Sequence, residues 1–196
     1  KYLNLAVDAV DENDEDCDLH TLMRVYSQMG GLYQRVAAFE NERIADSNAE
    51  RLAWQICDTL SALRLMWAQA CCLYDSRNQS QAIMILDSID MFTRKNGMRE
   101  QTKILYPMRI DYHLDIKDVK GADSLLREYE YKMGIRPDSP DEEIYDIAHF
   151  YRKGRYDLLI QSPNSAIQMF QRYLRLIENR SFYNGIQHSL REVCYQ

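Results

Sequence analysis

The stretch YSQMGGLYQRV, residues 26 to 36, places two adjacent glycines, Gly30 and Gly31, between flanks that both read as helix. A glycine inside a helix costs about 1 kcal/mol relative to alanine, so the pair needs a packing reason. Working outward, apolar residues recur at three- and four-residue spacing. Ala45, Ala49, Leu52, Ala53 and Ile56 mark one helical face, and Ala82, Ile85, Leu86 and Ile89 a second. Ala122, Leu125, Leu126 and Tyr129 mark a third, and Ala166, Phe170, Tyr173, Leu174 and Ile177 a fourth. No stretch shows convincing strand alternation, which makes the class all-α.

Helix boundaries follow from capping chemistry. Asp58-Thr59 ends one helix and caps the next, Asn96-Gly97 is a stop, and Gly134 before Ile135 suits a Schellman-type end. Ser139 with Glu142 forms a capping box with Pro140 at the first helical position, and Ser162-Pro163 repeats the serine and proline. These breaks predict helices near 18–35, 40–57, 59–76, 79–96, 99–116, 119–133, 141–160, 163–178 and 182–196, with residues 1–10 ending an earlier helix. Short connections between helices of similar length give antiparallel pairs in series. The pairs are 18–57, 59–96, 99–133 and 141–178, and 182–196 opens a further one. Ala82, Ala122 and Ala166 each sit early in the second helix of a pair, and a self-similar period of this size is the mark of a helical solenoid.

In tetratricopeptide repeats the first helix carries W-x2-L-G-x2-Y and the second A-x3-F. Tyr26, Met29, Gly30 and Tyr33 match the first pattern with two conservative changes, and Ala166 with Phe170 matches the second. The chain therefore resembles the tetratricopeptide-repeat family over most of its length, in about four degenerate copies. The resemblance implies a single right-handed α-solenoid of helix-turn-helix pairs. It puts Gly30 where paired helices touch most closely, with Ala70, Ile110 and Gly154 at that place in the later copies, and leaves Gly31 on the opposite, groove-facing side. The repeats run longer than the usual 34 residues, and Pro107 inside a helix predicts a kink. AHFYRKGRYDLL (148–159) followed by SAIQMFQRYL (165–174) also resembles the repeat arrays of certain bacterial signalling regulators and histidine kinases. In those proteins the repeats are sensory, and a separate output domain binds DNA or transfers phosphate. That likeness implies a periplasmic place for a membrane-tethered regulator and a cytoplasmic one otherwise.

Bulk properties narrow the function. Of 196 residues 46% are hydrophobic, enough for a core, and the net charge of −6 comes with no basic stripe, against nucleic-acid binding by this segment. No apolar run is long enough to cross a membrane. The chain starts at Lys1 without a signal peptide and reads as a piece of a longer protein. Cys17, Cys57, Cys71, Cys72 and Cys194 are odd in number and contain no C-x-x-C, against a disulfide scaffold or zinc knuckle; they read as buried free thiols.

Catalytic chemistry finds no motif. There is no phosphate-binding glycine loop, G-x-S-x-G elbow or HExxH. His20, His113, His149 and His188 are never paired at i, i+4; His113 reads as partly buried and His149 as a rim residue. The acidic run at 141–143 suits a helix's first turn. The expectation is a non-catalytic interaction module with no cofactor and no metal, whose concave groove binds a protein, a peptide or a small signal. The alternatives are a structural or dimerising scaffold, which allows a homodimer, and an envelope nutrient-binding protein. If the first helix of each pair lines the groove, burying Met66, Ala70 and Leu73 leaves Arg64, Trp67, Cys71 and Tyr74 facing it. The same register assigns Arg24, Ser27 and Gln34 in the first pair, Asp111 in the third, and Tyr151 and Arg155 in the fourth. Aromatic rings beside arginines anchor peptides, although a tryptophan in a helical protein is also a common core residue.

Overall fold

The computed structural model describes residues 17–136, 139–140 and 146–179. It contains α1 (Leu19–Arg35), α2 (Phe39–Gln55), α3 (Thr59–Asp75) and α4 (Gln79–Lys95). A 3-10 helix (Arg99–Leu105), α5 (Tyr106–Asp115), α6 (Val119–Met133), α7 (Ala148–Leu159) and α8 (Pro163–Asn179) follow. The described residues contain no strand, so the fold is all-α. The chain forms two compact units, Lys1–Thr102 and Lys103–Gln196. In the first, α1 packs on α2, α2 on α3 and α3 on α4. In the second, α5 packs on α6, both pack on α7, and α7 packs on α8.

One joint is used repeatedly. Each interhelical turn after α1 to α5 is three residues long, and its middle residue is left-handed: Ala37, Cys57, Arg77, Gly97 and Lys117, spaced by twenty. Gln161 and Gly134 do the same after α7 and α6. At each, the following residue's N–H reaches back to the carbonyl five positions earlier, as Asp58 does to Ala53 at 2.9 Å and Asp118 to His113 at 2.8 Å. The left-handed residue's own N–H bonds three positions back, as Cys57 does to Trp54. This is the Schellman arrangement, which satisfies carbonyls that the helix end leaves unpaired. The residue closing the turn then serves the next helix: Asp58 Oδ1 accepts from Ser61 N, and Asp118 Oδ1 from Gly121 N, both at 3.1 Å. A non-glycine left-handed residue costs about 1 kcal/mol, and five of the seven positions carry one.

The stops at Asn96-Gly97 and Gly134-Ile135 and the start at Pro163 fall where the sequence puts them. The segment expected as one helix over 99–116 divides instead. A 3-10 run gives way to α5, with Pro107 in the first turn of α5, where its missing N–H leaves no bond unmade. The helix expected over 141–160 is seen from Ala148; Ser139 and Pro140 are not helical, and Ser139 Oγ accepts from Arg136 N at 2.9 Å. Glu142 and the rest of 141–145, the helix at 182–196, and residues 1–16 lie outside the described residues.

The core of the first unit gathers Leu22, Met23, Ala49, Leu52, Ala53, Ala62 and Leu65. In the second, Tyr106, Ile110, Leu114, Ala122, Leu126, Tyr129 and Tyr156 cluster, and Phe150, Tyr173, Leu176 and Ile177 form a neighbouring cluster. Leu174, expected in the core, is exposed, and Met66 and Leu73 are only half-buried. His149 is a clear correction to its expected rim position: it is buried, with Nε2 3.1 Å from Glu130 Oε1. A carboxylate from α6 lets α7 turn that ring inward. His113 is half-buried as expected, its Nδ1 2.8 Å from Asp118 Oδ2.

Candidate functional site

The two glycines of the opening stretch prove to have different surroundings. A Cβ on Gly30 would lie 2.0 Å from Asp46 Oδ1, whereas one on Gly31 would meet nothing within 4 Å. Gly30 thus lets α2 press a carboxyl against the backbone of α1. Both glycines line a cleft of about 410 Å3 in the first unit. Its walls bring Arg24, Ser27, Gln28 and Gln34 from α1 to Ser61 and Arg64 from α3. Met23, Leu65 and Ala68 supply apolar wall, and Glu42 and Asp46 of α2 complete the lining.

These two acids are the unusual element. They lie four apart, on one helix face, and are 2% and 4% exposed. Glu42 Oε2 has no hydrogen-bond partner. Burial raises the Glu42 carboxyl above its ordinary range; a hydrogen bond from Cys72 opposes the shift and the Asp75 charge adds to it. Burial, and then the Glu42 charge, push Asp46 up to about 7. Burial also pushes the Cys72 thiol up to about 12, with the Glu42 charge second, so it stays protonated as a donor; its Sγ is also 3.3 Å from the Phe39 carbonyl. Among the described residues no group of three or more His, Cys, Asp and Glu gathers to hold a metal ion.

The forty-residue register shows how far this departs from the rest of the chain. Glu42 is the fourth residue of α2, and Ala82, Ala122 and Ala166 are the fourth residues of α4, α6 and α8. Asp46 falls where Leu86 and Leu126 stand. Those alanines and leucines are completely buried. Only at α2 does a carboxyl pair take the apolar positions that lock a second helix onto its neighbours.

The second unit places the other expected residues in a closed ionic cluster. Arg155 Nη1 is 3.0 Å from Asp111 Oδ1, and its Nη2 bonds Asp115. Arg152 Nε is 2.9 Å from Asp111 Oδ2 and its Nη1 3.1 Å from Asp146 Oδ2, which also accepts from Tyr129 OH at 2.8 Å. The Arg155 guanidinium lies over the Tyr151 ring, 5.9 Å from its centroid. Here charge meets charge, and each acid has its donor.

Of the nine expected groove residues, Arg24, Ser27, Gln34 and Arg64 line the cleft of the first unit, and Asp111, Tyr151 and Arg155 meet in the cluster of the second. Trp67 and Tyr74 belong to neither: Trp67 is 37% exposed and Tyr74 half-buried. Sequence reasoning missed Glu42 and Asp46. Their signal was the break in the alanine register, an acid forty residues before Ala82 and another forty before Leu86. Compared with known proteins, the chain matches no family model, no curated protein and no solved structure.

Proposed function

We propose that this chain is a non-catalytic helical-repeat interaction module of the tetratricopeptide type, and that the cleft of its first unit holds a peptide segment or a small signal molecule. The observation carrying this reading is convergence. Arg24, Ser27 and Gln34 on the outward face of α1 and Arg64 on that of α3 line one cleft. A binding site combines apolar wall with a few placed polar groups, and Met23, Leu65 and Ala68 beside these side chains provide that combination. The bacterial sensory role is the setting in which such a cleft would report on its ligand to a separate output domain.

A random-peptide display selection on the full chain tests the reading, with Ser27→Trp and Arg64→Glu as counter-selection. Ser27 and Arg64 are both exposed, so neither change disturbs the core. Peptides captured by the parent and lost from both variants support the cleft. Peptides that bind all three proteins equally, or no enrichment at all, count against it. The scaffold reading has one observation of its own: Met84 and Met91, seven apart on α4, are 68% and 70% exposed. Sedimentation of the full chain distinguishes it, because a dimer broken by Met84→Glu would favour the scaffold.

A further inference from the structure

We infer that Glu42 and Asp46 form the floor of an ammonium subsite, so that the cleft recognises a ligand by its primary α-amino group: a free amino acid, or the first residue of a peptide. This deepens the proposed function of the cleft and rests on it.

Three observations lead there. The first is the unused oxygen. Glu42 is 2% exposed, lines the cleft, and leaves Oε2 without a partner. Buried polar atoms are nearly always hydrogen-bonded, and this one belongs to a residue that lines the cleft, so a donor entering from the cleft would complete it. The second is substitution against the register. Ala82 with Leu86 and Ala122 with Leu126 show that this joint closes with apolar residues, so the acids are not needed to pack the helices. The third is room. Gly30 lets the Asp46 carboxyl sit against α1, and Gly31, which lines the same cleft, leaves open space where a Cβ would stand.

The two carboxyls of the floor, with no cation acting on them, select the ligand class. Burial and the Glu42 charge raise Asp46, and no cation is among the causes acting on it. From α3, Cys72 donates to Glu42 and Asp75 adds negative charge; Arg24 and Arg64 stand exposed on the walls. An ammonium brings three donors and a positive charge with no acceptor to leave unsatisfied. A divalent metal ion wants more ligands than two carboxylates, and no third acidic, cysteine or histidine ligand joins them among the described residues. For a free amino acid, the carboxylate then meets Arg24 and Arg64, whose forks suit it.

The test titrates the full chain with L-alanine, L-alanyl-L-alanine, N-acetyl-L-alanine and Nα-acetyl-L-lysine, read by the amide resonances of Gly30 and Gly31. L-Alanine or the dipeptide should shift both resonances, and N-acetyl-L-alanine should bind about tenfold more weakly or worse, since acetylation removes the charge. Preference for L-alanine over the dipeptide assigns the subsite to a free amino acid, the reverse to a peptide amino terminus. Binding of Nα-acetyl-L-lysine alone would overturn the α-amino assignment. Asp46→Asn and Glu42→Gln keep side-chain shape and should each weaken capture by a similar factor; circular dichroism checks their fold, and the ligand panel needs neither variant. Equal binding of acetylated and free alanine would overturn the inference and leave the cleft standing as a binding site. Silence from all four probes would overturn the inference too, while the display selection still decides the cleft independently.

Discussion

Among the described residues two acidic clusters, one in each unit, are built in opposite ways. Around Arg152 and Arg155 every carboxylate has a guanidinium or phenol on it, and Asp111 takes both arginines. Around Glu42 and Asp46 two acids share a pocket with no cation on them, and one oxygen has no partner. A closed ionic network fixes a structure; an open one leaves binding capacity unspent. The same residue types thus make a closed network in one place and an open one in the other, and the difference lies in whether the fold supplies the counter-charge.

Breaking the closed cluster should give the largest effect. Arg152→Ala removes the cation between Asp111 and Asp146, where the arginine side chain is 13% exposed. Removing one partner of a buried pair costs about 3–5 kcal/mol, read as a fall in the urea midpoint. A loss below about 1 kcal/mol would mean that the cluster is as solvent-screened as a surface pair.

The next effect belongs to the glycines. Gly30→Leu drives a side chain into Asp46 and should cost about 1–3 kcal/mol or more. Gly31→Ala meets open space and should gain up to about 1 kcal/mol of helix propensity. Equal costs at the two positions would contradict the close approach of α2 at Gly30.

The open cluster should show itself in pH. Asp46 keeps its proton to about 7 in the folded chain, against an ordinary 3.8. A raised carboxyl contributes stability that is whole below the unfolded value and is lost as pH rises through the folded one. Thermal stability should therefore fall between about pH 4 and pH 7 and then level. Asp46→Asn should flatten that slope and stabilise the protein at pH 8 by about 1–3 kcal/mol. Burial raises the Asp111 carboxyl as well, against the opposing pull of Arg152 and Arg155, but Asp111→Asn takes the counter-charge from both arginines and should give no such gain. A stability gain there would erase the contrast between the clusters.

The smallest effect tests what the units share. Arg77→Gly in the first and Lys117→Gly in the second relieve left-handed backbone at equivalent joints. Each should add about 0.5–1 kcal/mol, measured by thermal melts, and the two gains should match.

Much of the fold was legible because helical packing writes itself as periodicity. Ala82, Leu86, Ala122, Leu126 and Ala166 marked buried faces, and all are buried. The joints were legible only where glycine announced them, at Gly97 and Gly134. Ala37, Cys57, Arg77, Lys117 and Gln161 take the same conformation with no residue-type signal, because backbone hydrogen bonds impose it. Part of the cleft wall was legible for the same periodic reason: Arg24, Ser27, Gln34 and Arg64 are outward-facing helix positions. Its floor was not, since buried acids at apolar positions contradict the rule by which a core is read. His149 escaped likewise, its burial depending on Glu130 of another helix.

The shared turn residue has a dynamic consequence. Asp58 and Asp118 each finish one helix with their N–H and begin the next with their side chain. Fraying at either end therefore loosens the other, and a local opening cannot stop at a single helix terminus. Hydrogen exchange should show it as matched protection on the two sides of each joint, with the last turn of one helix and the first turn of the next opening together as one cooperative unit.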